Sequence, residues 1–153
     1  MIIGLGVAVG AAVIAVILFN TTAHAPQAGY RTDDGVCVPK SLQPADGSCI
    51  FLEYAKTPAE LSTGLSNRNV MARDMGMLFV FDKSATHCFW MKDMYFDIDI
   101  VWLDADKRIV AKELRVSPDT YPRNYCPDVK AQYVVEVNAG FAADWALGAT
   151  VPL

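Results

Sequence analysis

Hydrophobic and polar positions divide the chain into three stretches of different pattern. From Ile2 to Phe19 every residue is apolar or Gly. Residues 21–48 mix Thr, Pro, Gly, Ser and Asp with few large apolar side chains, the composition of a linker and lead-in. From Cys49 onward, apolar residues recur at strand spacing. Ile50, Leu52 and Tyr54 alternate with Phe51 and Glu53, which predicts a first strand. Met77 to Phe81 is a short buried strand, and Cys88-Phe89-Trp90-Met91 begins another. Ile98–Leu103 and Ile109–Val116 flank the polar run Asp104–Lys107, the pattern of a hairpin. Gln132 to Val137 alternates, with Tyr133, Val135 and Val137 on one face and Glu136 on the face of Gln132 and Val134.

Two short helices interrupt the strands. Thr57-Pro58-Ala59-Glu60 holds a cap, a proline at the first helical position and the acid that completes a capping box. Leu61 and Leu65 share a helical face, and Gly64 suggests close approach to another element. A second helix is expected from Ala139, capped by Asn138 and ended by Gly148, with Phe141 and Trp145 on one face. Residues 117–130 carry three prolines and form a long loop, and Val151-Pro152-Leu153 suits a last edge strand. The expected fold is mostly β (α+β), a compact antiparallel sandwich or barrel-like domain with two short helices.

Length allows one such domain and little more, at 153 residues. All Asp, Glu, Lys and Arg follow Tyr30. Residues 2–19 therefore read as one membrane span, since about 20 apolar residues cross a bilayer and about 17 suffice. A cleavable leader is the rival, because Ala23-His24-Ala25 has the small-x-small shape of a cleavage site. Pro26 behind it and the absence of an early positive charge favour the anchor. The expected organisation is an anchor over 1–20, a linker over 21–48 and a domain over 49–153. The net charge of −4, with scattered Lys and Arg, argues against nucleic acid as partner.

Four cysteines follow the leader, Cys37, Cys49, Cys88 and Cys126, and no C-x-x-C occurs. An even number behind an export segment points to two disulfides in an oxidising compartment. Of three possible pairings, Cys37–Cys49 with Cys88–Cys126 is preferred, because it staples the lead-in to the first strand and pins the 117–130 loop. The soluble part is then expected outside the plasma membrane, on a single-pass anchor, or secreted if the leader is cut.

Five segments come in a recognisable order: Gly64-Leu65-Ser66-Asn67-Arg68, Gly76-Met77-Leu78-Phe79, Phe89-Trp90-Met91-Lys92-Asp93-Met94, Ile98-Asp99-Ile100-Val101 and Tyr133 to Gly140. Together they resemble the bacterial and archaeal domain of unknown function 192 family, also called uncharacterised protein family 127. The resemblance runs from about Phe51 to Leu153. It implies a compact β-sandwich or barrel-like domain, often exported or anchored, and no established activity. The chain departs from the family pattern at Ser66 (usually Met), Asp93 (usually Asn) and Asp97 (usually Pro).

Several constellations are candidates for chemistry. Arg68, Lys92, Asp99 and Glu136 match the most recognisable polar positions of the resemblance. They read either as a polar pocket, with Glu136 or Asp99 as acid or base, or as a structural ion pair, with Arg68 or Lys92 partnering Glu136. Asp93, Asp97 and Asp99 would share one side of an unbroken strand, where three carboxylates suit Ca²⁺ or Mg²⁺. His87, Cys88 and nearby Met75, Met77, Met91 and Met94 are soft donors of the kind that hold Cu(I), although core packing and a disulfide explain them as well. Phe89, Trp90, Tyr95, Phe96 and Trp102 are core aromatics or the lining of a ligand cleft. No nucleophile elbow or cofactor loop is present.

The expected role is a non-catalytic binding or accessory module for an envelope component or protein partner, without a cofactor. Its contact surface would use Lys92, Asp93, Asp97, Asp99 and the 117–130 loop, and Arg68 and Glu136 are further ligand-binding candidates. The alternatives are an acid–base or metal-dependent enzyme on Asp99 and Glu136, or a structural subunit of a membrane complex that uses Gly4, Gly6 and Gly10 for helix packing.

Overall fold

A computed structural model describes residues 35–40, 42 and 49–153. The expected span at 2–19 lies outside the described residues. Among those described, no helix is long and apolar enough to cross a membrane.

One six-stranded sheet organises the domain, in the order β1-β2-β3-β8-β5-β6. Its strands are β1 (Gly35–Pro39), β2 (Cys49–Ala55), β3 (Met75–Ala85), β5 (Ile98–Leu103), β6 (Ile109–Val116) and β8 (Ala131–Asn138). The short β4 (Phe89–Trp90) and β7 (Asn124–Tyr125) pair separately. Four neighbouring pairs in the main sheet are antiparallel. The exception is β2 with β3, which run parallel. Parallel neighbours need a crossover, and α1 (Pro58–Thr63) lies within it. The sheet is therefore mixed rather than purely antiparallel.

Both faces of the sheet are covered, which explains apolar runs without alternation. Ile98 to Leu103 is buried at every position. On one face, Val36, Leu52, Leu78, Val135 and Val101 pack beneath Trp145, Val151 and Leu153 of the C-terminal segment. On the other, Phe79, Val134, Ile100 and Trp102 pack beneath Leu65, Met91, Met94 and Tyr125.

Three expectations need correction. The stretch read as linker contains β1, whose Val36, Cys37 and Val38 are fully buried. Pairing with β2 and the Cys37–Cys49 bridge hold it there. Residues 139–149 form successive turns rather than a second helix. Side chains from elsewhere take the backbone groups a helix would use. The Asp99 carboxylate accepts from the N–H of Gly140 and Ala142, and Lys112 Nζ donates to the carbonyls of Ala142, Ala143 and Trp145. Asn138, the expected cap, donates instead to the Ala72 carbonyl. Finally, residues 151–153 make no strand; the chain end is held beside the turn that precedes β6 by an Arg108–Thr150 bridge and a Val151 N–H bond to the Lys107 carbonyl.

The predicted capping box forms as drawn. Thr57 Oγ1 accepts from the Glu60 N–H, and the Glu60 carboxylate accepts from the N–H of Thr57 and Lys56. Those bonds, Thr57's first, hold the Glu60 carboxyl below its ordinary range. Gly64 closes the helix at φ 51°, where a Cβ would lie 3.0 Å from the Phe79 ring.

Candidate functional site

Glu136 sits in the middle of β8, opposite Met77 on β3 and Ile100 on β5. Alternation sends its side chain to the face that carries Val134, Phe79 and Trp102. It is 5% exposed. Among the described residues no side chain pairs with it, and its carboxyl is pushed up to about 8 by burial alone. A carboxyl in such surroundings keeps its proton at neutral pH, because burial disfavours the ionised form and, among the described residues, no cation offsets it.

The carboxyl borders a cavity of about 220 Å³. One wall is α1 and the chain after it, with Leu61, Gly64 and Leu65. The opposite wall is Thr86 to Trp90, and Phe79, Phe81 and Met94 complete the apolar lining. Polarity at the rim comes from the hydroxyls of Ser62, Thr63, Ser66 and Thr86. Among the described residues no Lys or Arg lines the space.

Local bonds hold these walls in register. Ser66 Oγ donates to the Lys92 carbonyl and the Asn67 N–H to the Asp93 carbonyl, which ties the segment after α1 to the 91–94 turn. Cys88 is bridged to Cys126, so the β4 side is fixed to the 117–130 loop. The His87 ring stacks on Phe81 with centroids 3.5 Å apart, its Nε2 lies 3.3 Å from the Lys83 carbonyl, and its own carbonyl accepts from Trp102 Nε1. Trp90, half exposed, stands at the mouth, with Tyr121 edge-on to its ring.

The other candidates fall elsewhere. Asp99 is fully buried on the opposite face of the sheet, where its two oxygens accept from the N–H of Arg115, Gly140 and Ala142 at 2.8–2.9 Å. Three bonds for one carboxylate make it a backbone organiser, and the proposed pairing of Asp99 with Glu136 has no common space to work in. Arg68 forms a two-pronged ion pair with Glu53, at 3.1 and 2.8 Å, and that bond raises its already high pKa. Lys92 lies 5.8 Å from the centroid of the Trp90 ring. Neither cation partners Glu136.

The acidic triplet does not converge. β5 begins only at Ile98, and Asp93 sits in a turn at φ 56°, so the unbroken strand expected from 91 to 101 is absent. Asp93 and Asp97 are exposed while Asp99 is buried. Among the described residues no three His, Cys, Asp or Glu side chains are grouped for a metal ion. The Cu(I) set lacks its thiol, since Cys88 is spent in its bridge, and Met77, Met91 and Met94 pack in the core with Met75 against them. Both bridges have the pairing preferred from the spacing.

Sequence reasoning singled out Glu136, Phe89 and Trp90, named His87 and Met94 only as metal donors and Leu61 and Leu65 only as a helix face, and did not gather them into one site. Phe81, His87, Leu61 and Leu65 are brought to Glu136 by the parallel crossover. Its one local signal was the capping box that places α1.

Comparison with known proteins agrees with this architecture. A Sinorhizobium meliloti protein provisionally assigned as a transcription regulator superposes with a TM-score of 0.66 at 25% identity, over 75% of this chain and 88% of its own. A protein of unknown function from Novosphingobium aromaticivorans gives 0.65 at 23% identity, over 84% and 93%. No curated protein matches the chain. The family model of domain of unknown function 192 (Uncharacterized ACR) matches residues 41–151, and the chain belongs to that family.

Proposed function

We propose that this chain is a non-catalytic binding module, held outside the plasma membrane by residues 2–19, that takes a small envelope ligand in the Glu136 cavity. The observation that carries the reading is a carboxyl 5% exposed, without a side-chain partner among the described residues, bordering a cavity lined in part by aromatic rings. A buried polar group is costly unless something bonds to it, and here that something enters from the cavity. Apolar walls with a few convergent polar groups are the usual chemistry of a ligand site.

Asp99 works on the other side of the sheet, so the Asp99–Glu136 acid–base pair expected from the sequence does not form in this cavity. Two disulfides support an oxidising compartment. A role on DNA draws no support from a chain of net charge −4.

The test is an NMR titration of the full-length, methyl-labelled protein in detergent with benzene, benzamide, benzamidine and benzoate. Shifts are expected at Leu65 and Met94, and should vanish in Ser62→Trp, which plugs the rim from an exposed helix position. No shift from any compound, or shifts confined to other sites, would overturn the reading.

A further inference from the structure

The chemistry of the cavity also selects among ligand classes, an inference that rests on the cavity being the binding site. We infer that the ligand is a small organic cation: an ammonium, amidinium or guanidinium head on an apolar body, with the head on Glu136 and the body against the aromatic walls.

Charge is the first ground. Among the described residues Glu136 is the sole acidic side chain lining the cavity and no Lys or Arg lines it, so these walls offer an anion no Lys or Arg as counter-charge. Geometry is the second. Buried carboxylates persist when paired, and the cross-strand neighbours of Glu136 are Met77 and Ile100, which leaves the cavity side as the place for a counter-ion. The walls are the third. Phe79, Phe81, Phe89 and Trp90 border the same space, and aromatic rings attract cations most strongly where water is excluded. Size is the fourth. A dry cavity of about 150 Å³ takes up benzene, so about 220 Å³ accommodates one ring with a short polar head.

Proton balance then follows. Across the sheet Glu136 stands opposite Met77 of β3 and Ile100 of β5, and Phe79, Leu65 and the hydroxyl residues line the same cavity; among the described residues His87, on the 86–90 side, is the only other titratable group lining it apart from the bridged Cys88. Burial keeps the empty site protonated up to about pH 8. A cation that settles on the carboxylate therefore releases one proton to solvent well below that pH. Its affinity rises with pH, about tenfold per unit there, and levels off above 8. A neutral ligand that accepts a hydrogen bond from the protonated acid would show the opposite trend.

Benzamidine and benzamide separate these cases, being nearly the same shape with and without the charge. Isothermal titration of the full-length chain at pH 6, 7 and 8 should show benzamidine binding that strengthens about tenfold from pH 6 to 7 and about fivefold from 7 to 8, with close to one proton released at pH 6 and about half of one at pH 8. Glu136→Gln should abolish that binding and its pH dependence while leaving the methyl spectrum of the folded domain in place. Benzamide binding as tightly as benzamidine, or benzamidine affinity flat or falling with pH in the parent protein, overturns the cation inference and leaves the cavity as a ligand site. Methyl shifts from neither compound at Leu65 and Met94 overturn both.

Discussion

Asp99 and Glu136 lie on adjacent strands one register step apart, yet their side chains leave the sheet through opposite faces. Asp99 stands opposite Val137, and Glu136 opposite Ile100. This offset separates two carboxyls that look alike in sequence. One is saturated by three backbone N–H groups; the other has none.

Removing the first should damage the fold. A β-bulge between Ile98 and Ile100 turns the Arg115 N–H toward Asp99, at φ 54°, and the same carboxylate holds the turn at Gly140 and Ala142. Asp99→Ala orphans all three donors, and a loss of roughly 3–5 kcal/mol is expected in chemical denaturation. A loss below about 1 kcal/mol would show that water replaces the carboxylate at no cost.

Removing the second should do the reverse, with a pH signature. Between 4.5 and about 8 the unfolded chain has released a proton that the folded chain retains at Glu136. The folded state then binds more protons, so its stability falls as pH rises through this window and the slope ends above 8. Glu136→Gln removes that component, and the variant should exceed the parent by roughly 3–5 kcal/mol at pH 8 while matching it near pH 4. Urea midpoints of parent and variant across the window check this, and parallel slopes would mean a carboxyl in contact with water.

Lys112 and Arg68 make opposite predictions although both are cations in bonds. Lys112 Nζ satisfies three carbonyls of the C-terminal turns. Lys112→Met should cost about 2–3 kcal/mol and raise hydrogen exchange across residues 140–149. Arg68 and Glu53 are each about one-third exposed. Arg68→Ala should cost less than about 1 kcal/mol, as solvent screens the pair. Equal losses would contradict this ranking.

The bridges predict both compartment and stability. Protein taken from cells without reductant should show no thiol reactive to maleimide after denaturation, and four thiols after reduction. Cys88 and Cys126 are 38 residues apart. Replacing both by Ser should cost about 4 kcal/mol, from the extra freedom given to the unfolded chain. Extensive labelling before reduction would contradict an oxidising location.

Much of the sheet was legible because its strands bury side chains in regular runs. The β5–β6 hairpin and β8 follow from alternation and turn residues alone. The capping box was legible because its bonds are local. What escaped depends on distant partners. Asn138-Ala139-Gly140 has the look of a helix start, but Asp99 and Lys112, roughly 30–40 residues earlier, take its backbone groups and make turns. β1 escaped because a five-residue strand between turn-forming residues carries little periodicity. Glu136 was legible as a carboxyl in a strand, but its isolation was not. Only the fold sends Arg68 to Glu53 and leaves Glu136 facing the cavity.

The Cys37–Cys49 bridge also has a mechanical consequence. Any pull on the chain ahead of Gly35 enters the domain at β1, an edge strand. Only Gly35 and Val36 precede the crosslink within that strand. Peeling under load stops after those two residues, and further tension passes through a covalent bond to Cys49, where β2 begins. The edge strand cannot be unzipped hydrogen bond by hydrogen bond. Force reaches the interior ladder between β2 and β3 instead, so the weakest margin of the sheet is not where it yields first.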